Sequence, residues 1–216
     1  MIPALVIFDC DGVLVDSEPI TNRMIAEEMT AAGLPMTTEQ SIEMFVGGTI
    51  AGVYAEAVRR GAHLREDWVD YYYDRMIEVL AEEVEAIPGV HAALDALDHA
   101  GVQYCVGSNG PVRKMAATLG RTGLWNRLVG RLYSAHDVGV AKPDPGLFLH
   151  AARAQGATPE TCIVVEDSAS GARAARAAGM RCLGFVRDTP AEKLTAEGAE
   201  PFDDMAALPA LLGLTA

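Results

Sequence analysis

Short apolar runs that alternate with helical patterns constrain the fold of this chain most. Five runs have the length and composition of buried strands, and they cover residues 4–8, 102–107, 131–134, 162–165 and 181–186. Patterns typical of helices lie between the later runs, over residues 90–100, 112–119, 145–155 and 170–178. Strands alternating with helices are typical of a parallel, doubly wound sheet. The sequence therefore predicts an α/β core.

The segment from residue 18 to residue 86 interrupts this alternation. Its helical patterns cover residues 20–32, 38–45, 50–60 and 65–84, whereas a crossover between parallel strands normally needs one helix. We therefore expect two domains: a catalytic α/β core of residues 1–17 and 87–216, and an inserted α-helical cap domain of residues 18–86. Pro19 and Pro88-Gly89 are the expected hinges. Such a cap would close over the end of the first strand and exclude water.

The charge of the chain disfavours some classes of partner. The sequence has 216 residues and a formal net charge of −13, which argues against nucleic-acid binding because that requires a basic face. The apolar stretches are too short to span a bilayer, and no basic region precedes an apolar core at the N-terminus. We expect a cytoplasmic protein without nucleic-acid or membrane partners, and a monomer.

The cysteine and histidine residues give no sign of a disulfide framework or a zinc site. The four cysteines form no CxxC pair and lie in or beside predicted strands, so we expect reduced, buried thiols. No two of the five histidines have the spacing of metal ligands. The chemistry of the chain must therefore come from other side chains.

Four polar clusters follow predicted strands or precede a helix. They are Asp9-Cys10-Asp11-Gly12, Ser108-Asn109-Gly110, Lys142-Pro143-Asp144-Pro145 and Glu166-Asp167-Ser168. A doubly wound sheet places its chemistry just beyond the carboxyl ends of its strands. Burying two carboxylates together is costly unless a cation or hydrogen-bond donors offset their repulsion. The clusters together predict a phosphoryl-transfer site.

A carboxylate that attacks a phosphate dianion needs a cation to offset the repulsion, and Mg²⁺ is suited to that task. Asp9 and Asp167 can supply carboxylates to the metal, Glu166 could bind it directly or through water, and the backbone carbonyl of Asp11 lies nearby in sequence. Lys142 would cancel remaining negative charge. We therefore expect a Mg²⁺ site formed by Asp9, Asp11, Glu166 and Asp167.

The substrate phosphate needs donors for its oxygen atoms. Lys142, together with Ser108, Asn109 and the amides of their turn, would supply them. We therefore expect these three side chains to bind the phosphate of a small phosphorylated metabolite.

The order of these motifs, read as DxDGVLVDSE, SNG, KPDP and EDS, resembles the haloacid dehalogenase superfamily over essentially the whole chain. The resemblance is to its phosphatases and phosphomutases with a helical cap after the first strand. It implies that Asp9 is a nucleophile that forms an aspartyl-phosphate, and that Asp11 is the general acid and base. Lys142 would orient Asp9. Dehalogenases lack the second aspartate, so Asp11 argues against dehalogenation.

Two further features separate the branches of the superfamily. Its β-phosphoglucomutases carry a histidine in the first cap helix and an arginine in a short cap loop, whereas Thr21 and Ile50 align there and the loop is residues 45–49. The sequence around residues 108–115 and 142–152 instead resembles a bacterial branch of 6-phosphogluconate or sugar-phosphate phosphatases. We expect a Mg²⁺-dependent phosphatase of small phosphorylated metabolites, with sugar phosphates such as 6-phosphogluconate as the favoured substrates and a β-phosphoglucomutase-like phosphomutase as the alternative. A third hypothesis is a non-enzymatic phosphoacceptor domain, and the inserted helices and Asp11 disfavour it.

Overall fold

The computed structural model describes residues 2–45 and 49–214. Within these residues the sheet has six strands, which are β1 (Leu5–Phe8), β2 (Gln103–Ser108), β3 (Leu132–Ser134), β4 (Cys162–Glu166), β5 (Arg181–Phe185) and β6 (Glu200–Phe202). Every neighbouring pair is parallel, in the order β3-β2-β1-β4-β5-β6. The predicted α/β fold with a parallel sheet is confirmed. Strand β6 adds an edge that the sequence did not predict, because it contains Pro201 and two of its three residues are exposed.

Strand β1 lies between β2 and β4, where the strand order changes direction. Phe8, its last residue, is paired with Val106 of β2 and with Val165 of β4. Ligands of doubly wound sheets bind outside the carboxyl ends of the strands at such a switch point. The residues that follow β1 therefore occupy the expected position of a functional site.

The chain divides into two compact units. We call residues Ser17–Val84 the helical unit. The helices among its described residues are α1 (Glu18–Ala31), α2 (Thr38–Phe45), α3 (Ile50–Arg59) and α4 (Trp68–Glu83). Inside it, Tyr72 is fully buried, stacks on Trp68 and donates its hydroxyl to the carbonyl oxygen of Thr21 at 2.8 Å. Residues 46–48, in the loop compared above with phosphomutases, lie outside the described residues.

The second unit, Met1–Asp16 with Glu85–Ala216, contains the sheet and is called the sheet unit here. Its helices are α5 (Val90–Ala100), α6 (Val112–Arg121), α7 (Trp125–Leu128), α8 (Ala135–Val138), α9 (Gly146–Ala154), α10 (Ala169–Ala177), α11 (Ala191–Ala196) and α12 (Leu208–Leu211). The chain leaves the sheet unit and re-enters it at adjacent points. The amide of Asp16 donates to the carbonyl oxygen of Glu85 at 2.9 Å, and Val15 forms an antiparallel bridge with Ala86.

Apolar side chains of the central strands pack against α9 and α10. Ile7 of β1 and Val164 of β4 share one buried cluster with Phe148 of α9 and with Ala172 and Ala175 of α10. The small alanines allow the helix backbone to approach the sheet closely, and burial of the apolar surface is the main stabilising contribution. The packing places the first turn of α10 beside the carboxyl end of β4.

All four cysteines are buried and free of disulfide bonds, as predicted. Among the described residues, no helix combines the length and the apolar character that a membrane crossing requires.

Candidate active site

The turn after β1 places two aspartates at the carboxyl edge of the sheet. The amide of Asp9 donates to the carbonyl oxygen of Val165 at 2.9 Å, which continues the pairing of β1 with β4. Gly12 then adopts a φ of +76°, and a Cβ on it would lie 2.1 Å from Oδ2 of Asp167. The glycine of the Asp-x-Asp-Gly motif therefore serves two needs, a left-handed backbone and room for the carboxylate of a distant motif.

Lys142 joins the first motif to the fourth. Its Nζ donates to Oδ1 of Asp9 at 2.7 Å and to Oε1 of Glu166 at 2.6 Å. The lysine side chain is only 3% exposed, so this cation is removed from water and held between two carboxylates. A buried lysine is costly unless it is paired in this way.

The second motif fixes the backbone of Lys142. Oδ1 of Asn109 accepts the Lys142 amide at 2.9 Å, and Nδ2 of Asn109 donates to the Lys142 carbonyl at 3.4 Å. Both ends of the Asn109 side chain thus contact the backbone of the lysine, and its predicted contact with phosphate stays a prediction. Ser108 is buried at the end of β2, where its Oγ accepts the amide of Gly110 at 3.0 Å.

Glu166 has a hydrogen-bond donor on each of its carboxylate oxygens. Oε1 accepts from Lys142, while Oε2 accepts from the amide of Ser168 at 2.7 Å and from its hydroxyl at 2.8 Å. The same hydroxyl accepts the amide of Gly171 at 3.0 Å and forms the N-cap of α10. The helix start therefore holds Glu166 in place for Lys142.

The site holds more negative than positive charge. Burial raises the pKa of the Asp9 carboxyl to about 7; Lys142 lowers it, whereas Glu166 and Asp11 raise it. Burial lowers the pKa of the Lys142 ammonium, but the carboxylates of Asp9 and Glu166 more than offset this and raise it above its ordinary value. An additional cation would relieve the repulsion between the carboxylates.

The donor set fits Mg²⁺. Carboxylate oxygens of Asp9, Glu166 and Asp167 lie within 4.8 Å of one another, and hard oxygen ligands are the ones that Mg²⁺ prefers. The carboxylate of Asp11 is not part of this cluster, and the prediction for Asp11 concerned its backbone carbonyl. The structure therefore brings three of the four predicted metal ligands together through their side chains.

The structure also defines the surroundings of Cys10, which lies within the first motif, and of Lys114, which contacts that motif. Burial, reinforced by Asp11 and Asp9, raises the pKa of the Cys10 thiol well above its ordinary value, which disfavours its thiolate form. Lys114 contacts Asp11, and the sequence did not indicate this contact. The lysine is buried, and its Nζ lies 2.8 Å from Oδ1 of Asp11. Its position six residues after Ser108 in a helical pattern was the available signal, but a solvated surface lysine would fit the same pattern.

Comparison with known proteins decides the family. The family model of the haloacid dehalogenase-like hydrolases matches residues 3–179. The chain belongs to this family. The hydrolase is 32% identical over 208 residues to the 6-phosphogluconate phosphatase of Escherichia coli (strain K12), a match that covers 95% of this chain and 93% of the relative. It is 30% identical over 181 residues to hexitol phosphatase B of the same organism, covering 82% of this chain and 81% of the relative.

Solved structures agree with this assignment. A conserved haloacid dehalogenase-like protein of unknown function from Agrobacterium tumefaciens str. C58 is 36% identical, with a TM-score of 0.86 and 97% of both chains covered. A family hydrolase from Deinococcus radiodurans R1, solved with bound phosphate and sodium, is 31% identical, with a TM-score of 0.82 and coverage of 98% and 96%. The predicted enzyme class, a phosphatase of this superfamily, is confirmed by the family and its relatives.

Proposed function

We propose that this hydrolase is a Mg²⁺-dependent phosphatase of small phosphorylated metabolites that acts through an aspartyl-phosphate on Asp9. One observation carries the proposal: Asp9 is held by Lys142 and lies in a cluster of carboxylate oxygens with Glu166 and Asp167. A carboxylate nucleophile, a cation that orients it and a set of metal ligands are the parts that phosphoryl transfer to an aspartate needs.

In the first step, Asp9 attacks phosphorus. One of its oxygens, Oδ1, accepts a hydrogen bond from Lys142. The other forms the new O–P bond while the bond from phosphorus to the leaving oxygen breaks. Asp11 donates its proton to that oxygen, so the product leaves as an alcohol. Lys142 and Ser108, with the amides of the Ser108 turn, bind the phosphate oxygens.

In the second step, Asp11 is a carboxylate and takes a proton from water. The water oxygen attacks phosphorus, the bond between phosphorus and Asp9 breaks, and inorganic phosphate leaves. Asp11 keeps the proton for the next turnover, so the reaction consumes one water per phosphate ester.

Asp9, Asp167 and the backbone carbonyl of Asp11 would hold the metal, and Glu166 would contribute directly or through water. When bound, Mg²⁺ offsets the repulsion between the nucleophile and the phosphate dianion. We further propose that the helical unit is a cap that determines substrate specificity. A cytoplasmic location, a monomeric state and the lack of nucleic-acid and membrane partners are parts of the same proposal.

Sugar phosphates and related polyol or acid phosphates are the proposed substrates, 6-phosphogluconate among them. Relatives named as phosphatases of 6-phosphogluconate and of hexitol phosphates, each at least 30% identical, support this range. Thr21 occupies the position of the phosphomutase histidine, and its hydroxyl donates to the carbonyl oxygen of Ser17 at 2.9 Å. Threonine is not a base at neutral pH, and this disfavours the mutase alternative.

The test is release of inorganic phosphate by the purified enzyme, with Mg²⁺ or with EDTA. The panel is 6-phosphogluconate, a hexitol phosphate, phosphoglycolate and β-glucose 1-phosphate. We expect metal-dependent release, no activity for Asp9→Asn because an amide is a poor nucleophile, and wild-type activity for Asp16→Asn. Asp16 is the matched control, because it is paired with Arg187 and lies outside the carboxylate cluster.

Two results would contradict the proposal. Hydrolysis by Asp9→Asn at the wild-type rate would reject Asp9 as the nucleophile. Conversion of β-glucose 1-phosphate to glucose 6-phosphate without release of phosphate would establish a phosphomutase instead.

A further inference from the structure

We propose that Lys114 is a positioning residue that holds the carboxylate of Asp11 in place for its acid and base steps. This inference rests on the proposed function, in which Asp11 is the general acid and base. Each aspartate of the first motif then has one lysine partner: Asp9 is paired with Lys142, and Asp11 is paired with Lys114.

The ion pair is direct and shielded from solvent. Nζ of Lys114 lies 2.8 Å from Oδ1 of Asp11, and the two side chains are 11% and 19% exposed. Exposed ion pairs are weak because water and salt screen them. Here the low exposure reduces that screening, so the pair restricts the rotation of the Asp11 side chain more than a surface pair would.

The location of Lys114 in α6 points away from a purely local role. The residue lies in the first turn of this helix, which begins at Val112. The first turn is the positive end of the helix dipole, where a cation is unfavourable. Burial of an ammonium group adds a desolvation cost. Local helix stability therefore does not account for a lysine here, whereas the carboxylate of Asp11 offsets both costs.

The backbone of Gly110 borders the ion pair. A Cβ on Gly110 would lie 3.6 Å from Oδ2 of Asp11 and 3.6 Å from Cδ of Lys114. Hydrogen bonds fix this glycine at both backbone groups, since its amide donates to Ser108 Oγ at 3.0 Å and its carbonyl accepts from Ser134 Oγ at 2.8 Å. The turn that contains Ser108 therefore also lies beside the ion pair of Lys114 and Asp11.

A fixed Asp11 has a chemical consequence. The carboxyl group must reach the leaving oxygen in the first step and a water in the second, and effective proton transfer depends on the donor being within hydrogen-bond reach. With Oδ1 held by Lys114, the position of the carboxyl group is set before the substrate binds, and Oδ2 is the oxygen that carries the proton. Loss of Lys114 removes this restriction without removing the acid itself.

The experiment compares two kinds of substrate in Lys114→Met. The first is the best sugar phosphate of the wild-type enzyme, whose alcohol needs a proton in order to leave. The second is p-nitrophenyl phosphate, whose phenolate leaves without one. The ratio kcat/KM covers only the steps up to departure of the leaving group. We expect Lys114→Met to lower kcat/KM for the sugar phosphate by about 30-fold or more, a part of the roughly 10²–10⁴-fold that general acid catalysis contributes, and for p-nitrophenyl phosphate by less than about threefold.

A double-mutant cycle separates positioning from substrate binding. Asp11→Asn should show the same dependence on the leaving group, and Lys114→Met should cause no further loss in the Asp11→Asn background. Lys193→Met is the matched control, because Lys193 is an exposed lysine of α11, and it should retain wild-type kinetics. Where Lys114→Met does not fold, Lys114→Gln, which keeps a hydrogen-bond donor but no charge, is measured in the same way.

Two results would overturn the inference. An equal loss from Lys114→Met in the wild-type and Asp11→Asn backgrounds would mean that Lys114 binds substrate independently of Asp11. An active variant with no dependence on the leaving group, beside an Asp11→Asn variant that has one, would mean that Asp11 needs no positioning. A wild-type enzyme that releases no phosphate would instead contradict the proposed function.

Discussion

The backbone of Gly171 lies directly against the carboxylate of Glu166. A Cβ on Gly171 would be 1.9 Å from both Cδ and Oε1 of the glutamate. This is far shorter than a contact between atoms that are not bonded to each other. The glutamate in turn accepts hydrogen bonds from Lys142 and Ser168. A glycine in the first turn of α10 is therefore a condition for the position of the lysine that contacts Asp9.

Replacement of Gly171 by alanine should displace Glu166. We expect a loss of about 1–3 kcal/mol in the free energy of unfolding, the usual cost of overpacking, and a fall in kcat because Lys142 loses a partner. Urea denaturation and steady-state kinetics measure the two effects. Gly120→Ala is the matched control, since Gly120 also lies in a helix but a Cβ there meets nothing within 4 Å. That variant should gain up to about 1 kcal/mol, and an equal gain from Gly171→Ala would contradict the close approach.

Gly12→Ala should weaken the binding of Mg²⁺. The new Cβ would lie 2.1 Å from Oδ2 of Asp167, so a predicted metal ligand must move. We expect the Mg²⁺ concentration for half-maximal activity to rise at least about tenfold, which corresponds to about 1.4 kcal/mol. Gly123→Ala has a similar backbone strain, with a φ of +74°, but no atom within 4 Å. A similar shift in both variants would assign the effect to the backbone rather than to Asp167.

Mg²⁺ should stabilise the folded enzyme in the absence of substrate. A ligand that binds only the folded state adds about 2.7 kcal/mol at a concentration 100 times its Kd, and the clustered carboxylates of Asp9, Glu166 and Asp167 provide the site. We expect a rise in Tm for the wild type and for Asp11→Asn, whose predicted ligand is the backbone carbonyl. Asp167→Asn should show little or no rise. A loss of the shift in Asp11→Asn as large as that in Asp167→Asn would reject this division of roles.

The helical unit offers a test that is independent of catalysis. Tyr72→Phe removes the buried hydroxyl that donates to Thr21, and a hydrogen bond of this kind contributes about 0.5–1.5 kcal/mol. We expect a loss of that size in the free energy of unfolding, measured by urea denaturation. Tyr71→Phe, one residue earlier and partly exposed, should change it by less than about 0.5 kcal/mol. Equal effects of the two substitutions would contradict the contribution of the Tyr72 hydroxyl.

The fold was predictable where hydrophobic pattern determines structure. Strands β1, β2, β4 and β5 are apolar runs whose side chains are mostly buried in the sheet, and hydrophobic pattern therefore revealed them. Strands β3 and β6 lie at the two edges of the sheet and each has one buried residue, but β6 also contains Pro201, and it escaped prediction. A short edge strand needs no apolar run, so its sequence does not differ from that of a loop.

The site was predictable as a set of residues but not as a set of contacts. Spacing along the chain placed Asp9, Lys142 and Glu166 at one end of the sheet, and the hydrogen bonds of Lys142 to both carboxylates are a tertiary result. The side-chain amide of Asn109 contacts the backbone of Lys142, which spacing along the chain did not indicate, and its binding of phosphate stays a prediction. The pairing of Lys114 with Asp11 could not be read from the sequence, because it depends on how α6 is placed beside the first turn.

The backbone pairing at the two ends of the inserted segment determines how costly a change in the length of that segment is. Because the amide of Asp16 donates to the carbonyl oxygen of Glu85 at 2.9 Å, the two ends of the intervening segment are held one backbone hydrogen bond apart. The entropic cost of closing a loop grows slowly, by about 0.6 kcal/mol for each doubling of its length. A longer or shorter set of helices between these two residues therefore adds little entropic cost to the folding of the sheet from which it departs.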